Sequence, residues 1–228
     1  AGPGAVIAML RQAQGHALGY LAQGSTRSVL PGQPQGAGAS QLVVGVGTGF
    51  NAAPVHDGRG ERFVAASECG HVALPVRTAR ELSLTQFVQK AHGYPEVEEV
   101  LSGRGVERVY EWVTTEAGSP LRKSAAEILA AIDAGDPMAL QTGEVFVRTL
   151  GAVVGDLALI HLPFGGIYLI GGVARAFTPH FDRFGFADAF RDKGRFSDLL
   201  DEFPVSVVED DYAALTGCAS YLAGLMNI

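Results

Sequence analysis

The spacing of apolar residues changes along the chain, from short strand-like runs in the first third to a helical period afterwards. Three apolar runs, at residues 42–46, 50–55 and 62–66, have the length and composition of strands. A glycine-rich turn separates the first two runs, and the turn signal at residues 56–60 separates the second from the third. This pattern predicts a meander of three antiparallel strands.

Apolar residues recur at helical spacing through most of the remaining chain. Helices are predicted at residues 6–21, 79–92 and 106–117, after the capping box Ser124-Ala-Ala-Glu127, from Asp136-Pro137 to about His161, and after Asp210 and Asp211. Buried strands are predicted at residues 167–170 and 204–208, external helix and loop at 177–203, and a surface loop at 24–40. This order of elements predicts an α/β fold with a mixed sheet of about five strands flanked by helices.

The composition is that of a well-packed globular protein. The chain has 228 residues, of which 47% are hydrophobic and 18% charged. A formal net charge of −7, without a cluster of Lys or Arg, argues against a nucleic-acid-binding surface. No apolar run has the length of a membrane span and no signal-peptide pattern opens the chain, so we expect no membrane partner and a cytoplasmic location. The two cysteines, Cys69 and Cys218, are too few for a disulfide framework or a thiolate-rich zinc site, and no metal ligand is predicted.

The first candidate site is the turn Gly45-Val-Gly47-Thr48-Gly49, which directly follows the first strand-like run. Glycines let backbone N–H groups turn outward into an anion-binding nest, and the Thr48 hydroxyl adds a donor. A glycine-rich hairpin turn is an equally good interpretation of the residues alone. The dinucleotide fingerprint Gly-x-Gly-x-x-Gly does not fit, because Phe50 occupies the place of its last glycine.

The second candidate site is Glu68-Cys-Gly-His71, at the end of the third predicted strand, where ligands of open α/β sheets gather. A carboxylate and an imidazole one glycine step apart can converge on one spot and bind sugar hydroxyl groups. A surface Glu with a His capping a strand end is the competing interpretation. Zinc binding and a Ser–His–acid nucleophile have no support, since no further ligand has the right spacing and Ser67 has no elbow context.

Two further motifs lie later in the chain. Glu98 and Glu99 point in different directions on a helical turn, so one of them can face a ligand. The turn Ser102-Gly103-Arg-Gly105 after them fits a helix C-cap or a backbone contact with a nucleotide. The pair Gly171-Gly172, after the strand at 167–170, fits either a close approach of a purine ring or a simple strand-to-helix turn.

Taken in order, these motifs, with the late Phe190-Arg-Asp-Lys-Gly-Arg-Phe196, resemble the bacterial glucokinase family from about Leu42 to the C-terminus. The resemblance implies the ribonuclease H-like, actin-like ATPase fold in its zinc-free branch. It implies that Glu68, His71 and Glu98 bind glucose. It also implies that residues 47–49 form the second phosphate loop and that residues 171–172 lie in the adenosine-binding element. The residues implied to bind the nucleotide are Gly45, Gly47, Thr48, Gly49, Ser102, Gly103, Gly105, Gly171 and Gly172.

The activity implied by the resemblance is phosphorylation of the glucose 6-hydroxyl by Mg²⁺-ATP, the first step of glycolysis. Family members also carry an Asp-x-Gly-Gly-Thr phosphate loop and an Asn-Asp pair whose Asp is the base, and neither motif occurs in this chain. We therefore expect residues 41–228 to form the large domain, residues 1–40 to be a leading helix and loop left from the region between the lobes, and the N-terminal lobe to be missing, through fragmentation or natural truncation. The chain alone is then expected to be a very weak or inactive kinase.

Two other functions stay open at this point. The chain can be a non-catalytic sugar- or nucleotide-binding module with a regulatory role, or it can belong to a kinase of another hexose. Apolar helices such as residues 106–113 also leave room for a homodimer.

Overall fold

A computed structural model describes residues 26–32, 34–36, 38–58 and 61–225. The helix predicted at residues 6–21 lies outside these ranges. A six-stranded mixed sheet, in the order β1-β6-β5-β2-β3-β4, forms the centre. Its strands are β1 (Thr26–Leu30), β2 (Gln41–Val46), β3 (Phe50–Gly58), β4 (Glu61–Val64), β5 (Ile167–Ile170) and β6 (Val205–Val208).

The sheet confirms the predicted α/β class and the predicted meander. Strand β2 pairs antiparallel with β3, and β3 pairs antiparallel with β4. On its other side β2 pairs parallel with β5, and β5 pairs parallel with β6. The carboxyl ends of β2, β5 and β6 therefore share one edge of the sheet, which is where open α/β sheets bind their ligands.

Strand β1 corrects the sequence analysis. The loop predicted over residues 24–40 is wrong at Thr26–Leu30, which forms an edge strand antiparallel to β6. Its first three residues are exposed, and its register shifts between Ser28 and Leu30. An edge strand of this kind shows no alternating apolar pattern, because only Leu30 at its end is fully buried. The sheet thus has six strands, and one of them lies before the expected domain boundary at residue 41.

Helices cover the sheet. Within the described residues they are α1 (Ala79–His92), α2 (Gly103–Glu116), α3 (Ala125–Asp133), α4 (Pro137–His161), α5 (Gly172–Phe177), α6 (Phe181–Phe184), α7 (Phe186–Arg191), α8 (Ser197–Leu200) and α9 (Ala213–Leu225). The predicted caps are present: Ser124 and Glu127 form a capping box, and Asp136 caps α4, which begins at Pro137. Helix α4 has 25 residues and buries apolar side chains along its whole length, so it is the central helix of the main core, as predicted.

Helix α2 also changes an expectation. Its apolar residues Val106, Val109 and Val113 are fully buried in the main core, together with Trp112. The helix therefore presents no apolar face to a second copy of the chain, and the basis for expecting a homodimer there is lost. Among the described residues, no helix combines the length and the apolar character that crossing a membrane requires.

Candidate active site

The glycine-rich turn joins β2 to β3 at the ligand-binding edge of the sheet. It is a tight hairpin turn in which the Gly47 N–H donates to the Gly49 carbonyl at 2.9 Å. A Cβ at Gly47 would meet no atom within 4 Å, whereas a Cβ at Gly49 would lie 2.6 Å from the Glu98 carboxylate. The hairpin interpretation of this motif is therefore confirmed. One side of the turn also borders a cleft, and anion binding there stays a prediction.

The start of α2 packs against this turn. The Gly103 N–H donates to the Gly47 carbonyl at 2.8 Å, which fixes the helix end beside the hairpin. Ser102 caps the helix, since its Oγ accepts the Gly105 N–H at 3.0 Å and donates to the Glu98 carbonyl at 2.8 Å. The predicted helix C-cap is thus wrong, because the Ser-Gly-Arg-Gly segment begins a helix instead of ending one. Two glycines in the first turn, which are poor helix formers, obscured this in the sequence.

Gly171 brings β5 to the same place. It has a φ of +112°, and a Cβ there would lie 2.4 Å from the Val46 carbonyl oxygen. Only glycine tolerates both the positive φ and the close approach to the Val46 carbonyl. The chain can therefore pass close to the backbone of β2 after β5 ends, and α5 begins at the next residue, Gly172. A Cβ on Gly172 would meet nothing within 4 Å, and this residue borders open space.

Two cavities share residues 47–49 and Glu98 as a common wall. The smaller, about 220 Å³, is lined also by Gly45, Phe50, Asn51 and Gly171, and the larger, about 700 Å³, by Gly103, Arg104, Glu107, Gly172 and Val173. Backbone N–H groups at a helix N-terminus and in a glycine turn favour an anion. Ser102 lines neither cavity: it is fully buried, and its hydroxyl is used as the helix cap.

Arg104 is a functional candidate that the sequence analysis missed. It is the one cationic side chain among the residues that line the two cavities, and it lies on the first turn of α2. In the described part of the chain, Arg104 takes part in no hydrogen bond or ion pair. An unpaired guanidinium beside a helix N-terminus is a good partner for a phosphate. The signal in the sequence that could have identified Arg104 as a candidate was its position between two glycines.

Glu98 connects the cleft to the Glu68–His71 turn. Its Oε2 accepts the Phe50 N–H at 2.8 Å. A Cβ built on Gly70 would lie 3.5 Å from the same Oε2 and 2.1 Å from the Phe50 carbonyl oxygen. Gly70 is therefore pressed against the backbone of the hairpin, and the turn that carries Glu68 and His71 lies directly beside the glycine turn.

Glu68 and His71 converge, as the sequence predicts. Glu68 directly precedes the 3₁₀ turn Cys69–His71, of which His71 is the last residue, and the His71 N–H donates to the Glu68 carbonyl at 3.0 Å. His71 Nε2 lies 3.7 Å from Glu68 Oε2, which is too long for a hydrogen bond. His71 Nδ1 lies 2.9 Å from Glu96 Oε1. Glu96 is a second residue that the sequence analysis did not single out.

A row of side-chain contacts attaches this turn to the open edge of β3. The Asn51 side chain donates to the Ser67 carbonyl at 2.8 Å, and the Ala52 N–H donates to Cys69 Sγ at 3.1 Å. Strand β4 pairs with β3 only from Val55 onward. The contacts of Asn51 and Ala52 therefore occupy the part of the β3 edge that β4 does not cover. The Glu68–His71 turn is therefore held along its length rather than only at its ends.

Among the described residues, no group of three or more His, Cys, Asp or Glu side chains is arranged to hold a metal ion. Glu98 and Glu107 nevertheless line the larger cavity. Mg²⁺ in nucleotide sites typically uses one or two carboxylates together with the phosphates, so these residues fit a nucleotide-borne Mg²⁺.

The fold and the site define an α/β domain of the ribonuclease H-like, actin-like ATPase class. The sequence model of the glucokinase family matches residues 11–225. The chain is 34% identical over 219 residues to the glucokinase of Mesorhizobium japonicum, covering 94% of this chain and 64% of that protein. It is 33% identical over 185 residues to the glucokinase of Rhizobium etli, covering 80% of this chain and 54% of that protein.

A solved structure agrees with these sequence comparisons. The glucokinase from an Antarctic psychrotroph superposes with a TM-score of 0.84 at 28% identity, covering 93% of this chain and 66% of that one. The chain belongs to the glucokinase family, and the resemblance inferred from its motifs is confirmed. It spans between about half and two thirds of the length of the curated relatives that it matches.

Proposed function

We propose that this protein is a glucokinase, which transfers the γ-phosphoryl group of ATP to the 6-hydroxyl of glucose. The observation that carries the proposal is the position of Glu98. Its carboxylate lines both cavities beside the glycine turn. The same carboxylate lies close to Gly70, the residue that precedes His71 in the Glu68–His71 turn. A site for phosphates and a site for hydroxyl groups therefore share a wall, as transfer between them requires.

The nucleotide half of the proposal uses backbone groups above all. The N–H groups of Gly47 and Gly103 already donate within the hairpin and the helix start, so the donors left for the phosphates are those of Thr48, Gly49 and Arg104, for which the described residues supply no acceptor. Gly171 and Gly172 border the part of the cleft assigned to adenosine, where a side chain would narrow the space. Thr48 adds a hydroxyl donor. Gly45, Ser102 and Gly105 would act indirectly, by shaping the turn and capping α2.

The sugar half uses Glu68, His71 and Glu98. Carboxylate oxygens accept hydroxyl protons, and an imidazole can accept or donate, so the three side chains together can bind several hydroxyl groups in one orientation. Glu68 and His71 are about half exposed, so a ligand can reach them. Binding and orientation are the contributions that these residues would make to the reaction.

ATP would supply the phosphoryl group, and Mg²⁺ would neutralise charge on the phosphates when bound. The residues that line the two cavities include no aspartate that could deprotonate the 6-hydroxyl. General-base catalysis contributes roughly 10²–10⁴ in rate. We therefore expect the 228-residue chain by itself to bind its ligands and to turn over very slowly.

The absence of an aspartate from the described cavity walls also favours a second candidate, a non-catalytic sugar- or nucleotide-binding module with a regulatory role. A kinase of another hexose differs from the first proposal only in the sugar.

For each of these functions we propose a cytoplasmic location. A homodimer would need a surface other than α2, and sedimentation of the purified chain tests it.

The test of the sugar site is a panel of hexoses titrated by calorimetry against the wild-type chain and Glu68→Gln. We expect glucose to bind more tightly than fructose or N-acetylglucosamine, and Glu68→Gln to weaken glucose binding about tenfold, since a lost hydrogen bond to a charged group costs roughly 1.5–3 kcal/mol. Glu116→Gln, on the far end of α2, serves as the matched control. Unchanged binding of every sugar by Glu68→Gln would refute the proposed sugar site.

A further inference from the structure

His71 lies between two carboxylates at different distances. Its Nδ1 is 2.9 Å from Glu96 Oε1, within hydrogen-bond distance, whereas its Nε2 is 3.7 Å from Glu68 Oε2, beyond it. We infer that Glu96 is a positioning residue of the sugar site, which fixes the orientation and the tautomer of His71. The inference rests on the proposed function, because it assigns His71 a sugar hydroxyl as its partner.

The tautomer follows from the chemistry of the partners. An ionised carboxylate only accepts hydrogen bonds, so the proton of a neutral imidazole must be on Nδ1 to bind Glu96. The Nε2 atom then carries a lone pair and faces the side of Glu68. Metal-binding and catalytic histidines are held in the same way, by a carboxylate at the nitrogen that does not meet the ligand.

Glu96 is itself held firmly by the backbone. It forms an isolated antiparallel bridge with Ala73, two residues beyond His71. The Val97 N–H donates to the Val72 carbonyl at 3.0 Å, and the Glu99 N–H donates to the Glu96 carbonyl at 3.1 Å. The Glu96 side chain is 21% exposed, against 45% for His71. A carboxylate fixed in this way costs little further entropy when it binds the imidazole.

The same short segment meets the Glu68–His71 turn at two places, Gly70 and His71. Glu98 accepts the Phe50 N–H beneath Gly70, and Glu96, two residues earlier, accepts the His71 Nδ1–H. With the proton on Nδ1, both Nε2 and the Glu68 carboxylate are acceptors toward the ligand. One hydroxyl has one proton to donate, so the two acceptors together select a sugar that presents two neighbouring hydroxyl groups.

The first readout is the tautomer, measured on the 228-residue chain by long-range ¹H–¹⁵N NMR of the imidazoles. The chain has six histidines, and His71→Ala identifies the resonances of His71. We expect the Nδ1–H tautomer in the wild type and in Glu96→Gln, whose amide oxygen still accepts, and a mixture in Glu96→Ala. An unchanged tautomer in Glu96→Ala would overturn the inference.

The second readout is a double-mutant cycle in glucose affinity. We expect Glu96→Ala to weaken glucose binding roughly tenfold to hundredfold, Glu96→Gln to restore most of the affinity, and Mg²⁺-ATP binding to stay unchanged. In the His71→Ala background, Glu96→Ala should have no further effect, because Glu96 acts through His71. Equal losses in both backgrounds would overturn the inference.

Glu99→Gln is the matched control, since it removes the same charge three residues along, where the carboxylate contacts Arg108 at 2.7 Å. A loss of glucose affinity equal to that of Glu96→Ala would show an effect of charge alone and would overturn the inference. Failure of the wild type to bind glucose would refute the proposed function instead. The NMR comparison needs no ligand and separates the two failures.

Discussion

Gly70 offers the sharpest test of how the two halves of the site are joined. In Gly70→Ala the new Cβ would lie 2.1 Å from the Phe50 carbonyl oxygen, which is backbone and has no rotamer with which to move away. Ordinary carbon contacts are about 3.5–4.0 Å, so the turn must move from the hairpin by roughly 1 Å or more. That movement separates Glu68 and His71 from Glu98.

The expected magnitude has two parts. Forced overpacking of a well-packed site costs about 1–3 kcal/mol of unfolding free energy, which lowers Tm by roughly 2–12 °C in a domain of this size. Loss of one hydrogen bond to a charged sugar-site group costs about 1.5–3 kcal/mol of binding free energy, or roughly tenfold or more in Kd for glucose. Nucleotide affinity should fall less, because the turn at residues 47–49 remains in place.

The assay is calorimetric titration with glucose and with Mg²⁺-ATP, beside a thermal melt followed by circular dichroism. Gly58→Ala is the matched control, since its Cβ would meet nothing within 4 Å, its φ is not in the left-handed region and it lines neither cavity. We expect this control to melt at or slightly above the wild-type temperature. A Gly70→Ala variant that melts like the wild type and binds glucose equally well would refute the packing argument.

Three further variants test other parts of the account. Arg104→Gln should weaken Mg²⁺-ATP binding about threefold to tenfold at low salt and less at high salt, with glucose binding unchanged in calorimetry. Burial and the charge of His56 lower the pKa of His161 below 6.5, so the unfolded chain binds the extra proton and stability falls as pH drops below that value. His161→Gln should flatten this slope in urea melts between pH 5 and 8. Lys193→Met should lower the unfolding free energy by about 1–3 kcal/mol in the same melts, because the nearly buried ammonium donates to the Ala152 carbonyl and to Asp156. Three results would contradict these expectations: an unchanged Kd for Mg²⁺-ATP in Arg104→Gln, an unchanged pH slope of stability in His161→Gln, or an unchanged unfolding free energy in Lys193→Met.

Local signals in the sequence were enough to predict most elements. The strand at Ile167–Ile170 and the helix Ala79–His92 have the predicted bounds, and Asp136 with Pro137 marks the start of α4. In each case the deciding information lies within a few residues, as a continuous apolar run or a cap. The order of the glycine and acidic motifs then predicted the family.

Features that depend on distant partners could not be predicted in this way. Thr26–Leu30 is a strand because β6 offers it an edge, more than 170 residues further along the chain. Glu96 reaches His71 across 25 residues through an isolated bridge, and no spacing rule connects the two. Ser102 looked like the end of a helix because two glycines weaken the first turn of α2.

The central claim is that one chain holds a phosphate site and a sugar site on a common wall. Calorimetric titration with glucose, alone and with Mg²⁺-ATP, beside a coupled assay of glucose 6-phosphate formation, tests it most directly. We expect both ligands to bind the 228-residue chain, each in the presence of the other, with very slow turnover. Failure of both ligands to bind would refute the shared phosphate and sugar site, and rapid turnover would refute the expectation that the catalytic base lies outside these residues.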